Sequence, residues 1–126
     1  MVRTALAVLI GALAAGATAH AHHSFAADYV EDQSVTYEGE VREFQYRNPH
    51  AWVIFDARDE RGNVRTYSAE WGGTNRLTNW GISPTSIKPG DRVIVTGAPG
   101  RTVSERKLHL KRIQRPADGW GWPAGR

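Results

Sequence analysis

The chain has 126 residues, no cysteine, 40% hydrophobic residues and a formal net charge of +3. The missing thiols exclude disulfide staples, thiolate metal sites, a lipid-modified N-terminal cysteine and cysteine nucleophiles. Acids and bases are interspersed rather than blocked, so the chain lacks the electrostatic footprint of a nucleic-acid binder and no nucleic-acid partner is expected.

Residues 1–21 have the anatomy of a secretory signal peptide, with a basic start at Arg3, an apolar run from Ala5 to about Ala15, and small residues from Gly16 to Ala21. The run is too short for a bilayer span, which takes roughly 20 apolar residues. The expectation is a cleaved leader, no stable membrane anchor afterwards, and a periplasmic or secreted domain. Small residues at −3 and −1 occur in two registers, Ala17/Ala19 and Ala19/Ala21, so cleavage after Ala19 or Ala21 frees His20 or His22 as the new terminus. What remains is the size of one domain with one core.

Residues 22–33 show little periodicity and carry Asp28, Glu31 and Asp32, which reads as an extended N-terminal arm lying on the domain. Ser34 to Phe44 alternates Val35, Tyr37, Gly39 and Val41 with polar residues, the period-two pattern of a half-buried strand. Gly39 in its middle predicts a bend or bulge. Asn48-Pro49 turns the chain into a second strand, Ala51 to Asp59. The turn Asp59-Glu60-Arg61-Gly62-Asn63 leads to a third, Val64 to Trp71. Gly72-Gly73 breaks that strand, and Thr74-Asn75 is expected to cap a short helix that Gly81 ends. Arg92 to Gly97 and Lys107 to Gln114 supply strands four and five, and residues 116–126 form a tail rich in Gly, Trp and Pro.

This order predicts a mainly β protein: a small five-stranded OB-like barrel over residues 34–115, with one short helix between strands 3 and 4. An open β-sandwich is the competitor. The barrel is preferred because five strands cannot cover two sheets well, whereas closure removes exposed edges. The expected core is Val35, Tyr37, Val41, Val53, Phe55, Tyr67, Leu77, Ile87, Val93, Val95, Leu108 and Leu110.

His22-His23-Ser24-Phe25-Ala26-Ala27, Asn48-Pro49-His50-Ala51-Trp52, Glu70 before a glycine, and Lys88-Pro89-Gly90-Asp91 together resemble a family of small bacterial periplasmic proteins of unknown function. The resemblance implies an exported barrel-like domain and carries no activity with it. Two features depart from it: Trp71, where an aliphatic residue is expected, and the Trp-rich tail.

Three of the five histidines, His20, His22 and His23, crowd the expected mature terminus. A chain starting His20-Ala21-His22 offers an amine, two backbone nitrogens and an imidazole, a square-planar set suited to Cu(II) or Ni(II). A chain starting at His22 offers its amine and ring to copper. With the arm folded back to the Pro49 corner, His22 and His23 would be joined by a nitrogen of His50 and an oxygen of Glu70. No cysteine or paired-histidine spacing completes a tetrahedral zinc site. On the blander reading, the terminal histidines are solvated and His50 bonds a backbone carbonyl to close the corner.

Trp52, Tyr67 and Trp71 lie on the strands that form the ligand face of an OB barrel, where they would stack on a glycan or meet a protein partner without catalysis. No nucleophile elbow or phosphate-cradling glycine loop occurs, and Asp56 with Glu70 is the weak remaining acid/base pair. The sequence therefore favours an exported binding or accessory module over an enzyme. Copper or a related divalent metal is the specific expectation, and an aromatic interaction module for a glycan or protein is the alternative.

Overall fold

Alternating apolar residues put one side of each strand inward, and the strand pairings decide whether that side closes on itself. The structure, a computed structural model, describes residues 24–124. The signal-peptide reading, both cleavage registers and His20, His22 and His23 lie outside these residues. In chain order the elements are α1 (Phe25–Asp28), β1 (Val35–Gln45), β2 (Trp52–Arg58), β3 (Val64–Glu70), α2 (Thr74–Asn79), β4 (Arg92–Pro99), a 3-10 turn (Val103–Glu105), β5 (Lys107–Arg115) and β6 (Trp120–Trp122).

The sheet runs β3-β2-β1-β4-β5-β6, and a parallel pairing of β3 with β5 closes the first five strands into a barrel. That pairing rules out the sandwich and leaves the OB order of strands. Its register is short and specific: Ser68 with Lys107, Ala69 with Leu108, Glu70 with His109. Beyond it, β6 takes the same edge of β5, pairing Ile113 with Trp122 and Arg115 with Trp120. An edge that closure leaves open is thereby covered.

Val41, Val53, Phe55, Tyr67, Leu77, Ile87, Val93, Val95, Leu108 and Leu110 are buried as expected, whereas Val35 and Tyr37 are half-buried and pack against this core. Gly39 has a different role from the one its position suggests. The register irregularity of β1 falls between Val41 and Glu43, and a Cβ at residue 39 would stand 2.3 Å from the Asp56 carbonyl oxygen. Gly39 is therefore a site of close approach between β1 and β2, two residues before the bulge.

The cap of α2 also differs from the Thr74-Asn75 reading. Its N-cap is Gly73, which has no side chain to offer, and the missing acceptor comes from across the corner: Asn48 Oδ1 takes the Thr74 N–H and hydroxyl, each at 3.0 Å. The Asn48-Pro49 bend and the helix entry are thus one unit, and Tyr46 joins it by bonding Thr78 at 2.7 Å.

The arm is not extended throughout. One helical turn, α1, precedes Tyr29, which is fully buried and bridges to Gly100. Val30 N–H to Pro99 O and Arg101 N–H to Asp28 O, both 2.9 Å, tie this segment to the β4–β5 connection. Among the described residues no helix is long and apolar enough to cross a membrane.

Candidate imidazole site beneath the N-terminal arm

His50 leaves the Pro49 bend just before β2, and Glu70 ends β3, the strand hydrogen-bonded to β2. Trp71 N–H to Ala51 O at 2.8 Å and Ala51 N–H to Gly72 O at 3.0 Å hold these two chain ends side by side. His50 Nδ1 then meets Glu70 Oε1 at 2.6 Å. The carboxylate accepts, so the proton sits on Nδ1, and in the neutral ring Nε2 keeps its lone pair. The partner of His50 is therefore a carboxylate, where the blander reading expected a backbone carbonyl. The second oxygen of Glu70 accepts from the buried Tyr29 hydroxyl. Burial, followed by the charge and hydrogen bond of Glu70, pushes that hydroxyl far above the ordinary phenol range. Both Glu70 oxygens are thus engaged by the protein.

The parallel β3–β5 register sets His109 beside Glu70, which sequence reasoning missed. His109 Nδ1 meets Glu31 Oε1 at 2.7 Å, and Lys111 Nζ meets the other Glu31 oxygen at 2.5 Å. Phe25 of α1 covers both imidazoles. Its ring stacks on His109 with centroids 3.6 Å apart and planes 5° apart, and lies 5.3 Å from the ring of His50. The result is two carboxylate-held imidazoles under one phenyl ring. Two signals for it were in the sequence: Phe25 within the His-His-Ser-Phe run, and His109 alternating with the inward Leu108 and Leu110.

Burial pushes His109 below the ordinary imidazole range, against the opposing pull of Glu31; Lys111 lowers it further and Glu70 raises it. Burial pushes Glu31 upward, but Lys111 and His109 together hold it below the usual carboxylate range. Both shifts have one sign in stability. A group whose folded value is depressed binds fewer protons folded than unfolded, so its contribution is full above the unfolded value and fades as pH falls. For His109 the loss begins near 6.5, and for Glu31 near 4.5. Melts from pH 7 to 5 should accordingly show the wild-type Tm falling faster than that of His109→Asn. A constant gap between the two would contradict the assignment.

Of the aromatic residues singled out as ligand-facing, Trp52 is half-buried and pairs in register with Glu70. Tyr67 and Trp71 are 6% and 2% exposed and pack in the core, Tyr67 still lining a groove beside the β2–β3 turn. Asp56 bonds Thr66 and Arg42, while Glu70 is committed to His50 and Tyr29, so the two carboxylates form no acid/base pair with each other. Among the described residues no three His, Cys, Asp or Glu side chains gather as a metal-ion group.

Fold and site define a class: a small closed β-barrel of OB order, with an N-terminal arm pinned over two carboxylate-held imidazoles. The chain belongs to a family of unknown function, DUF6152, whose model matches residues 10–109. No curated protein matches it.

Proposed function

We propose that the protein is an exported copper-binding module in which His22 and His23 of the arm join His50 around one ion. The observation that carries this is the contact of Phe25 with His50. One residue, Ser24, separates His23 from Phe25, a Cα span of at most about 7 Å, which is short enough for the arm's histidines to join His50 with the barrel unchanged. The donor chemistry agrees with it. An imidazole whose Nδ1–H is held by a carboxylate is oriented and made more basic for coordination through Nε2. Glu70 is then the residue that orients His50, its two oxygens being already engaged, while the terminal amine and the His22 and His23 rings supply the remaining nitrogens. Nitrogen donors of this kind suit Cu(II).

The test begins with mass spectrometry of the exported protein, which should find His20 or His22 at the N-terminus. Calorimetric titration of that processed chain with Cu(II) should give uptake tighter than about 10 μM, weakened tenfold or more by His22→Ala and by His50→Ala. Uptake no tighter than tens of micromolar in the processed wild type, or identical isotherms for the His50 variant, would remove the proposal.

A further inference from the structure

A groove of about 370 Å³ lies between the β2–β3 hairpin turn and the β4–β5 connection, sharing no residue with the imidazole site. Its volume is within the range of roughly 300–1,000 Å³ usual for small-molecule sites. Tyr37 and Tyr67 line it, ring centroids 4.3 Å apart, and Val103, 86% exposed, stands on its rim. Arg61, Arg106 and Lys107 also line it, as do the carboxylates of Asp59, paired with Arg65 at 3.3 Å, and Glu60 on the hairpin turn. Lys107 is paired with Glu105 at 2.6 Å, but neither guanidinium has a carboxylate partner among the described residues.

Arg106 is the telling residue. It sits at φ 48°, the only non-glycine residue at positive φ among those described. Glycine or asparagine is at home there, and a long side chain is not. The backbone is locked in this conformation from both sides, since its N–H bonds Val103 O at 3.2 Å and its carbonyl accepts from Ser68 N–H at 3.1 Å. A turn that only had to close would do better with glycine; this one instead carries an unpaired cation at the groove. Beside it, burial and the neighbouring Tyr37 push the Tyr67 hydroxyl up to about 12, with Arg106 pulling the other way, so the group remains a neutral donor at physiological pH. The larger concavity, about 600 Å³ beside β1 and β2, lacks this feature: its Arg92 is paired with Glu38 at 3.5 Å and its Arg58 bonds the Gly62 carbonyl at 2.8 Å.

We propose that this groove binds a small organic anion, a carboxylate on a flat apolar body, with the charge on Arg106 and the Tyr67 hydroxyl and the body against Tyr37 and Val103. A guanidinium fork matches a carboxylate in bidentate geometry, and the exposed valine beside a tyrosine pair gives a flat ring an apolar bed. The site is independent of the copper reading and stands or falls separately.

Sodium benzoate is the probe, titrated into the full processed chain at low salt and followed by amide chemical shifts. Saturable binding with Kd near 1 mM or tighter is expected, with shifts at Tyr67, Val103 and Arg106, and at least tenfold weaker binding of neutral benzamide. Arg106→Gly and Arg106→Asn both suit the left-handed backbone, so each should leave Tm unchanged or raise it while weakening benzoate tenfold or more. Absence of saturation by about 10 mM, equal affinity for benzamide, or full affinity in both Arg106 variants would overturn the proposal.

Discussion

Replacing Trp71 with alanine is expected to lower the unfolding free energy by about 3–5 kcal/mol, the range for truncating a large buried aromatic. The indole is 2% exposed at the end of β3, with Trp122 at 5.1 Å and Phe44 at 6.2 Å between ring centroids. Alanine would leave a cavity that two neighbouring rings, each fixed on its own strand, cannot collapse to fill. Trp71→Phe should behave quite differently. The Nε1–H of Trp71 is buried without a hydrogen-bond partner among the described residues, and removing such a donor relieves a desolvation penalty of about 1–3 kcal/mol. That relief offsets much of the lost contact area, so phenylalanine should cost well under half of what alanine costs. Urea unfolding of the two variants decides the matter: equal destabilisation would mean that the indole nitrogen is satisfied after all.

Trp71 also shows where sequence reading stops. Together with the Trp-rich tail it stood out as a departure from the family pattern, two oddities 51 positions apart by the numbers of Trp71 and Trp122. In the fold they are one feature, because Trp122 of β6 packs between Trp71 and Trp80, 4.8 Å from the latter. The family match ends at residue 109, so β6 lies beyond it while its buried partner lies within. A buried ring within the matched region therefore packs against a strand that lies beyond it. No local pattern announces β6: three residues are too few for a period, and its pairing with β5 is set by packing.

The five barrel strands and α2 were legible because each has its own local signal, an alternation or a glycine break. The bulge at Val41/Glu43 was not, since the glycine that advertised it serves strand contact instead. The acceptor at the start of α2 comes from Asn48, and no window around residue 74 contains it. The imidazole site was half legible for the same reason. His50 and Glu70 were read as two ligands of one ion at the Pro49 corner, and the structure brings their side chains to 2.6 Å of each other. The pairing of β2 with β3 joins them to each other, and the parallel pairing of β3 with β5 adds His109 from far along the chain.

Glu70→Ala should therefore affect both the arm and the site, lowering stability by roughly 1–3 kcal/mol, the penalty for the buried Tyr29 donor left unpaired, while His50, 33% exposed, can bond water instead. Tyr29, 0% exposed, keeps a hydroxyl with nowhere to go, and the His50 ring loses the contact that sets its tautomer. Tyr29→Phe removes donor and demand together and should cost only about 0.5–1.5 kcal/mol. Adding it to Glu70→Ala should restore part of the loss, a coupling that a double-mutant cycle reads directly. The copper titration separates the two roles of the carboxylate. Loss of a carboxylate that orients a ligand typically weakens metal binding by about 10–100-fold, so Glu70→Ala should approach His50→Ala in affinity while Tyr29→Phe stays near wild type. If instead Tyr29→Phe weakens copper as much as Glu70→Ala does, the carboxylate matters only by holding the arm, and His50 needs no orienting partner. If Glu70→Ala melts with the wild type, the arm is held by its other ties: the Phe25 stack on His109, the Glu31 pairs with His109 and Lys111, and the backbone bonds to Pro99 and Arg101.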